Sequence, residues 1–233
     1  MIKYSFYDSS NPNSAIPTKD TSHLGGHFGG TAMPIKPFDY IVEKYNIKSV
    51  LDIGCGPAGM VEYANWKGVY SIGVDGDTTL DKMPYIMFHD FIEGPFNLDT
   101  YYDLAWSTEF LEHVEAKYIP NFMPLFQRAQ YVFCSAAYPG QGGHHHVNEQ
   151  ESQYWIDVFA SYGFTYMPDD LEEIRKTSND KLIVRTGLFF KNNNTIEASK
   201  FTPFEIDYNR LKKAINHFTH ANGPHIAGYE AWD

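Results

Sequence analysis

The sequence predicts an α/β fold built on a mostly parallel sheet. Three observations carry that expectation. Short apolar runs alternate with helical stretches along most of the chain. A glycine-rich turn, Gly54 to Gly59, directly follows the first buried run. Acidic residues stand where strands end, at Asp75 and Asp90, and ligands of such sheets bind at the carboxyl ends of the strands.

The elements follow in order. Phe38, Ile41, Val42 and Tyr45 recur at helical spacing, so a short amphipathic helix opens the fold. Residues 48–53 read as a buried strand, 54–59 as a turn and 60–66 as the start of a helix. Residues 69–74 are a second strand ending at Asp75, 86–88 a third ending near Asp90, and 102–106 a fourth. Residues 110–129 read as mostly helical, cut into pieces by Pro120 and Pro124. Residues 131–135 are a fifth strand, and 149–162 a helix stopped by Gly163. A late strand is expected over 182–190. A final amphipathic helix is expected over 203–219, with Phe204, Ile206, Leu211, Ile215 and Phe218 on its apolar face.

Composition bounds the function. The 233 residues are 43% hydrophobic and 20% charged, enough for a real core. No run reaches the ~18 apolar residues of a spanning helix, and the polar N-terminus lacks a signal-peptide layout. Cys55 and Cys134 make no disulfide framework and read as reduced thiols, which together point to a cytoplasmic chain. The 18 basic against 29 acidic residues leave a net charge of −11. Such a chain is a poor general binder of long nucleic acid or anionic membrane. Aromatics at 16% permit stacking on a ligand. Residues 1–36, with His23 and His27 among glycines, read as a flexible arm or as a lid over a ligand. A main domain over 37–195 and a helical extension over 196–233 follow.

The segment from Asp52 to Gly59 is the most informative. Its glycines let the backbone leave the strand sharply and approach a ligand closely, and the next helix offers free N–H groups. Gly54, Gly56 and Gly59 also fit the dinucleotide fingerprint. The acids argue otherwise. Asp52 would repel a pyrophosphate but favour a cationic ligand. Asp75, 21 positions after Gly54 (75 − 54), can hold ribose hydroxyls, and Asp90 is in reach of an adenine amino group.

This pattern resembles the class I S-adenosylmethionine-dependent methyltransferases over residues 36–190. The resemblance implies a Rossmann-like, seven-stranded sheet with one antiparallel strand and helices on both faces. It implies that Asp52, Gly54, Gly56 and Gly59 lie along the methionine part of the cofactor, with Gly59 one place later than in the commonest form. Asp75 and Gly76 would hold the ribose, Asp90 and Phe91 would flank the adenine, and Ser107 would contact the methionyl group.

Glu109, Glu112 and His113 stand at i, i+3 and i+4, which on a helix places them on one face. Two carboxylates and an imidazole suit Mg²⁺ or Mn²⁺. An open position on such an ion could lower the pKa of a substrate hydroxyl. The arrangement is similar to two methyltransferase branches, the RNA 3′-terminal 2′-O-methyltransferases and the O-methyltransferases of ubiquinone synthesis. That resemblance implies a later histidine as fourth ligand, with His146 first and His145 next in the run His144–His146. The metal-free alternative makes His113, His145 or His146 a catalytic base.

The expected acceptor is a small molecule or glycan with a sugar or other hydroxyl. An RNA-end 2′-O-methyltransferase and a non-catalytic cofactor-binding module are the alternatives. Trp106, Tyr138, Tyr154 and Trp155 are candidate pocket or core aromatics. The sequence leaves a homo-oligomer open.

Overall fold

The computed structural model describes residues 23, 24, 27, 30–178 and 180–221. Seven strands form one sheet: β1 (Ser49–Ile53), β2 (Tyr70–Asp75), β3 (Ile86–Phe88), β4 (Tyr102–Ser107), β5 (Ala129–Cys134), β6 (Phe164–Tyr166) and β7 (Leu188–Asn192). Their order is β3-β2-β1-β4-β5-β7-β6. The first five run parallel, and β7 is antiparallel to both β5 and β6. This is the Rossmann-like sheet with one reversed strand that the resemblance implied.

Both faces are covered, which is why the strands read as unbroken apolar runs. Neighbours along a strand alternate between two cores. Leu51, Ala105, Val132 and Phe190 face one, with α3 (Ile119–Phe126) and α4 (Ser152–Ser161) packed on it through Phe122, Phe126, Trp155 and Phe159. Val50, Leu104, Phe133 and Phe189 face the other. There α1 (Ile35–Tyr45), α2 (Gly59–Trp66) and α5 (Pro168–Thr177) contribute Phe38, Met60, Tyr63 and Leu171. Among the described residues no helix is long and apolar enough to cross a membrane. Cys55 and Cys134 are buried free thiols.

Several expectations are corrected. Residues 109–113 are not an α-helix. After β4 the chain bends, Glu109 takes a left-handed φ of 56°, and a single 3-10 turn spans Leu111–His113. A second 3-10 turn, Ala116–Tyr118, precedes α3. The expected strand over 182–190 divides at Gly187. Its first part is helix α6 (Lys181–Thr186), with Val184 N–H on Asp180 O and Gly187 N–H on Ile183 O, both at 3.0 Å. A run rich in β-branched residues misled the periodicity. Strand β6 and helix α5 lie outside the expected elements, although α5 carries Pro168 at its start, Asp169 and Asp170 in its first turn and Arg175 and Lys176 in its last. The last helix, α7 (Tyr208–Ala221), starts later than 203 because Asp207 caps it, its carboxylate accepting the Asn209 N–H at 2.9 Å. Phe204 and Ile206 therefore lie outside the helix, Phe204 packing on Tyr70 and Tyr85. The side chain of Phe218 and residues 222–233 lie outside the described residues.

The flanking segments pack onto the sheet domain. Met33 is fully buried ahead of residue 37. Arg210 of α7 pairs with the buried Glu62 of α2 and, at 2.5 Å, with Asp81.

Candidate active site

A cavity of about 710 Å³ opens at the carboxyl ends of β1, β2 and β4. The β1–α2 turn forms one wall. Gly54 has φ +77°, and a Cβ there would stand 2.5 Å from the Phe110 ring, so only glycine fits. Asp75 stiffens the turn. Its Oδ2 accepts the Gly56 N–H at 2.7 Å and its Oδ1 the Asp77 N–H at 2.9 Å.

Asp52, Gly54, Gly56, Asp75, Gly76, Asp90 and Phe91 all line this cavity. Asp52 is 3% exposed. Burial, reinforced by the Asp75 charge, holds its carboxyl well above the usual range, which a cationic ligand alongside would reverse. Burial also raises Asp75, against the pull of its two N–H donors. Asp90 Oδ1 accepts the Ile92 N–H at 3.1 Å and caps a 3-10 turn. Two expected contacts point elsewhere. Ser107 Oγ donates to Ile53 O at 2.8 Å, tying β4 to β1. The Gly59 N–H is taken by Thr31 Oγ1 at 3.1 Å.

The described part of the N-terminal segment lies over this wall. His23 Nε2 is 3.1 Å from Asp90 Oδ2 and His27 Nε2 is 3.0 Å from Asp77 Oδ2. Both histidines, Leu24 and Thr31 line the cavity. Gly25, Gly26, Phe28 and Gly29 lie outside the described residues.

The far end holds the acid–histidine cluster. Glu112, His113 and His146 each bring one ligand atom within 4.8 Å of the others. The backbone explains why His146 is the one of the run that arrives. Val147 and Asn148 both donate N–H to Glu112 O at 3.0 Å, and Asn148 Nδ2 donates to Val114 O at 3.1 Å. The loop is thereby sewn onto the 3-10 turn, and the rings of His113 and His146 stand 4.9 Å apart and nearly perpendicular. His144 instead faces the N-terminal segment, its Nε2 3.1 Å from Leu24 O. His145 has φ 50° and an exposed ring 6.0 Å from that of His23. Glu109 reaches the cavity through Ser135, whose Oγ donates to Oε1 at 3.1 Å and accepts the Glu109 N–H at 3.2 Å.

The electrostatics of the cluster are unusual. Glu112 is fully buried, and among the described residues neither of its carboxylate oxygens has a hydrogen-bond partner. Burial and the Glu109 charge hold it well above the ordinary carboxyl range. Burial raises Glu109 too, partly offset by Ser135. Burial and the neighbouring His146 push His113 down to about 4. A buried unpartnered carboxyl is costly, and Glu112 with the His113 and His146 rings forms a donor set that fits a divalent cation, with Glu109 beside it on Ser135.

Sequence reasoning missed Glu149 and Asp77. Glu149 accepts His146 Nδ1 at 3.0 Å, and its i, i+3 spacing was a usable signal. Asp77 had none. Trp106, Tyr138, Tyr154 and Trp155 do not line the large cavity. Trp106 and Trp155 are core, and Tyr138 lies under Arg185 beside a small second cavity.

The chain is similar to solved structures of S-adenosylmethionine-dependent methyltransferases. The methyltransferase domain of bacterial CtHen1-C is 19% identical, with a TM-score of 0.47 over 66% of this chain and 94% of that one. A methyltransferase from Archaeoglobus fulgidus is 17% identical, with a TM-score of 0.49 over 66% and 90%. Magnesium protoporphyrin IX methyltransferase from Synechocystis PCC 6803 is 15% identical, with a TM-score of 0.48 over 66% and 75%. No protein-family model and no curated protein matches the chain.

Proposed function

We propose that this chain is an S-adenosylmethionine-dependent O-methyltransferase assisted by a divalent cation, Mg²⁺ or Mn²⁺. The observation that carries the reading is Glu112, a buried carboxyl without a hydrogen bond among the described residues, grouped with His113 and His146, which line a cavity whose other end is the glycine turn with Asp52, Asp75 and Asp90. Asp52 would neutralise the cationic methionyl end of the cofactor, Asp75 would take the ribose and Asp90 with Phe91 the adenine. The N-terminal segment would close over the bound cofactor and exclude water. Glu109, Glu112, His113 and His146 would hold the cation, which supplies Lewis acidity to a substrate hydroxyl. The chain's own task is in-line placement of that oxygen against the methyl group. His113, pushed so low, is a weak proton acceptor but a ready ligand.

The acceptor we favour is a sugar diol, a catechol or another small molecule with adjacent oxygens, without a phosphate. No lysine or arginine is among the described residues that line the cavity, whereas Asp52, Asp75, Asp90, Glu109, Glu115 and Asp180 are. Such a lining disfavours an RNA end, whose phosphates call for cationic contacts.

The test is transfer of labelled methyl from S-adenosylmethionine to catechols and vicinal diols, with Mn²⁺ and with excess EDTA. The reading expects transfer that EDTA abolishes. Full transfer in EDTA removes the cation and leaves a metal-free methyltransferase. No cofactor binding and no transfer to any acceptor removes the enzyme.

A further inference from the structure

The loop between β5 and α4 is organised around one carboxylate. Glu149 Oε2 accepts the Gly140 N–H at 2.7 Å, and Oε1 accepts the Gly142 N–H at 2.6 Å. Oε1 also lies 3.0 Å from His146 Nδ1. An ionised carboxylate only accepts, so the proton of this contact sits on Nδ1, which leaves Nε2 as the nitrogen that can ligate. Gly143 lies beside the ring, where an added Cβ would stand 2.3 Å from His146 Nε2 and cover that nitrogen. The side chains of His146 and Glu149 are only 9% and 17% exposed.

We propose that Glu149 is a positioning residue: it fixes the His146 ring and its tautomer so that Nε2 is presented to Glu112 and His113 as a cation ligand. This rests on the metal reading above. Anchoring the loop needs only the two backbone N–H bonds. The third contact, on the imidazole, is the one that bears on a bound ion. A carboxylate behind a ligating histidine orients the ring and raises its basicity, and its loss typically weakens metal binding about 10–100-fold.

The test titrates Mn²⁺ into the full chain saturated with S-adenosylhomocysteine, reading free Mn²⁺ by electron paramagnetic resonance. Wild type, Glu149→Ala, Glu149→Gln and Glu112→Ala are compared. Nitrogen-15 spectra of the His146 ring are recorded without metal. Glu149→Ala should weaken Mn²⁺ binding by about 10–100-fold and move His146 away from the Nδ1–H tautomer. S-adenosylhomocysteine affinity should stay unchanged. Glu149→Gln keeps one acceptor oxygen and loses the charge, and urea unfolding of each variant separates a positioning loss from a folding one. Wild-type Mn²⁺ affinity in both Glu149 variants, or an unchanged tautomer, overturns the positioning role alone. No binding by wild type overturns the metal reading and this role with it.

Discussion

His23 Nε2 lies 3.1 Å from Asp90 Oδ2, so the N-terminal segment closes on a carboxylate that the sheet domain presents at the cavity edge. A second contact, His27 to Asp77 at 3.0 Å, repeats the arrangement beside the β2 end. Hydrogen bonds of this kind, between side chains 9–19% exposed, are each worth about 0.5–1 kcal/mol. Replacing both histidines by alanine should therefore release S-adenosylhomocysteine a few-fold to about tenfold faster, read by stopped-flow fluorescence. An unchanged off-rate would show that the segment does not retain the cofactor.

Gly54 and Gly143 separate the two ends of the cavity. An added Cβ meets the Phe110 ring at the first and His146 Nε2 at the second. Gly54→Ala should cost at least about tenfold in S-adenosylhomocysteine affinity, from a strain of about 1–2 kcal/mol at its positive φ plus the clash. Gly143→Ala should weaken Mn²⁺ binding and leave S-adenosylhomocysteine affinity unchanged. Calorimetry of each variant with each ligand checks the pairing.

Glu112 should trade stability for binding. A buried carboxyl without partners is destabilising until something ligates it. In metal-free buffer near pH 8, Glu112→Gln should raise the stability measured by urea unfolding by about 1 kcal/mol. The same variant should show no Mn²⁺-dependent rise in melting temperature. A less stable variant would mean that Glu112 has a structural partner.

Cation binding should release protons. Burial raises Glu109 and Glu112 above their ordinary value of 4.5 in the metal-free fold. The stability that these raised groups lend the metal-free fold is present below pH 4.5 and is lost as pH rises through their folded pKa values. A cation binds only their ionised forms, so Mn²⁺ affinity should climb with pH across that window and then level off. Calorimetry in buffers of different ionisation enthalpy counts the protons. Zero protons released at the lower end would contradict the raised carboxyls.

Much of the fold was legible because the sheet is buried on both faces. Strands such as 49–53 are unbroken apolar runs, and Gly54 and Gly56 mark the turn that follows. The reading failed where local propensity met tertiary packing. Residues 182–186 look like a strand but form α6, and 109–113 look like a helix but form a bend and one 3-10 turn. At the second end Glu112 and His113 meet His146 through backbone bonds to Glu112 O that no spacing rule anticipates. Glu149 was missed because its role is to hold a loop and a ring, which the sequence marks only by its i, i+3 spacing from His146.

The central claim is that one cavity holds the methyl donor and a divalent cation side by side. Its most direct test is calorimetric titration of Mn²⁺ into protein saturated with S-adenosylhomocysteine, with Glu112→Ala as control. The account predicts one cation per chain, lost in the variant. Binding that survives in Glu112→Ala, or no binding in the wild type, would contradict it.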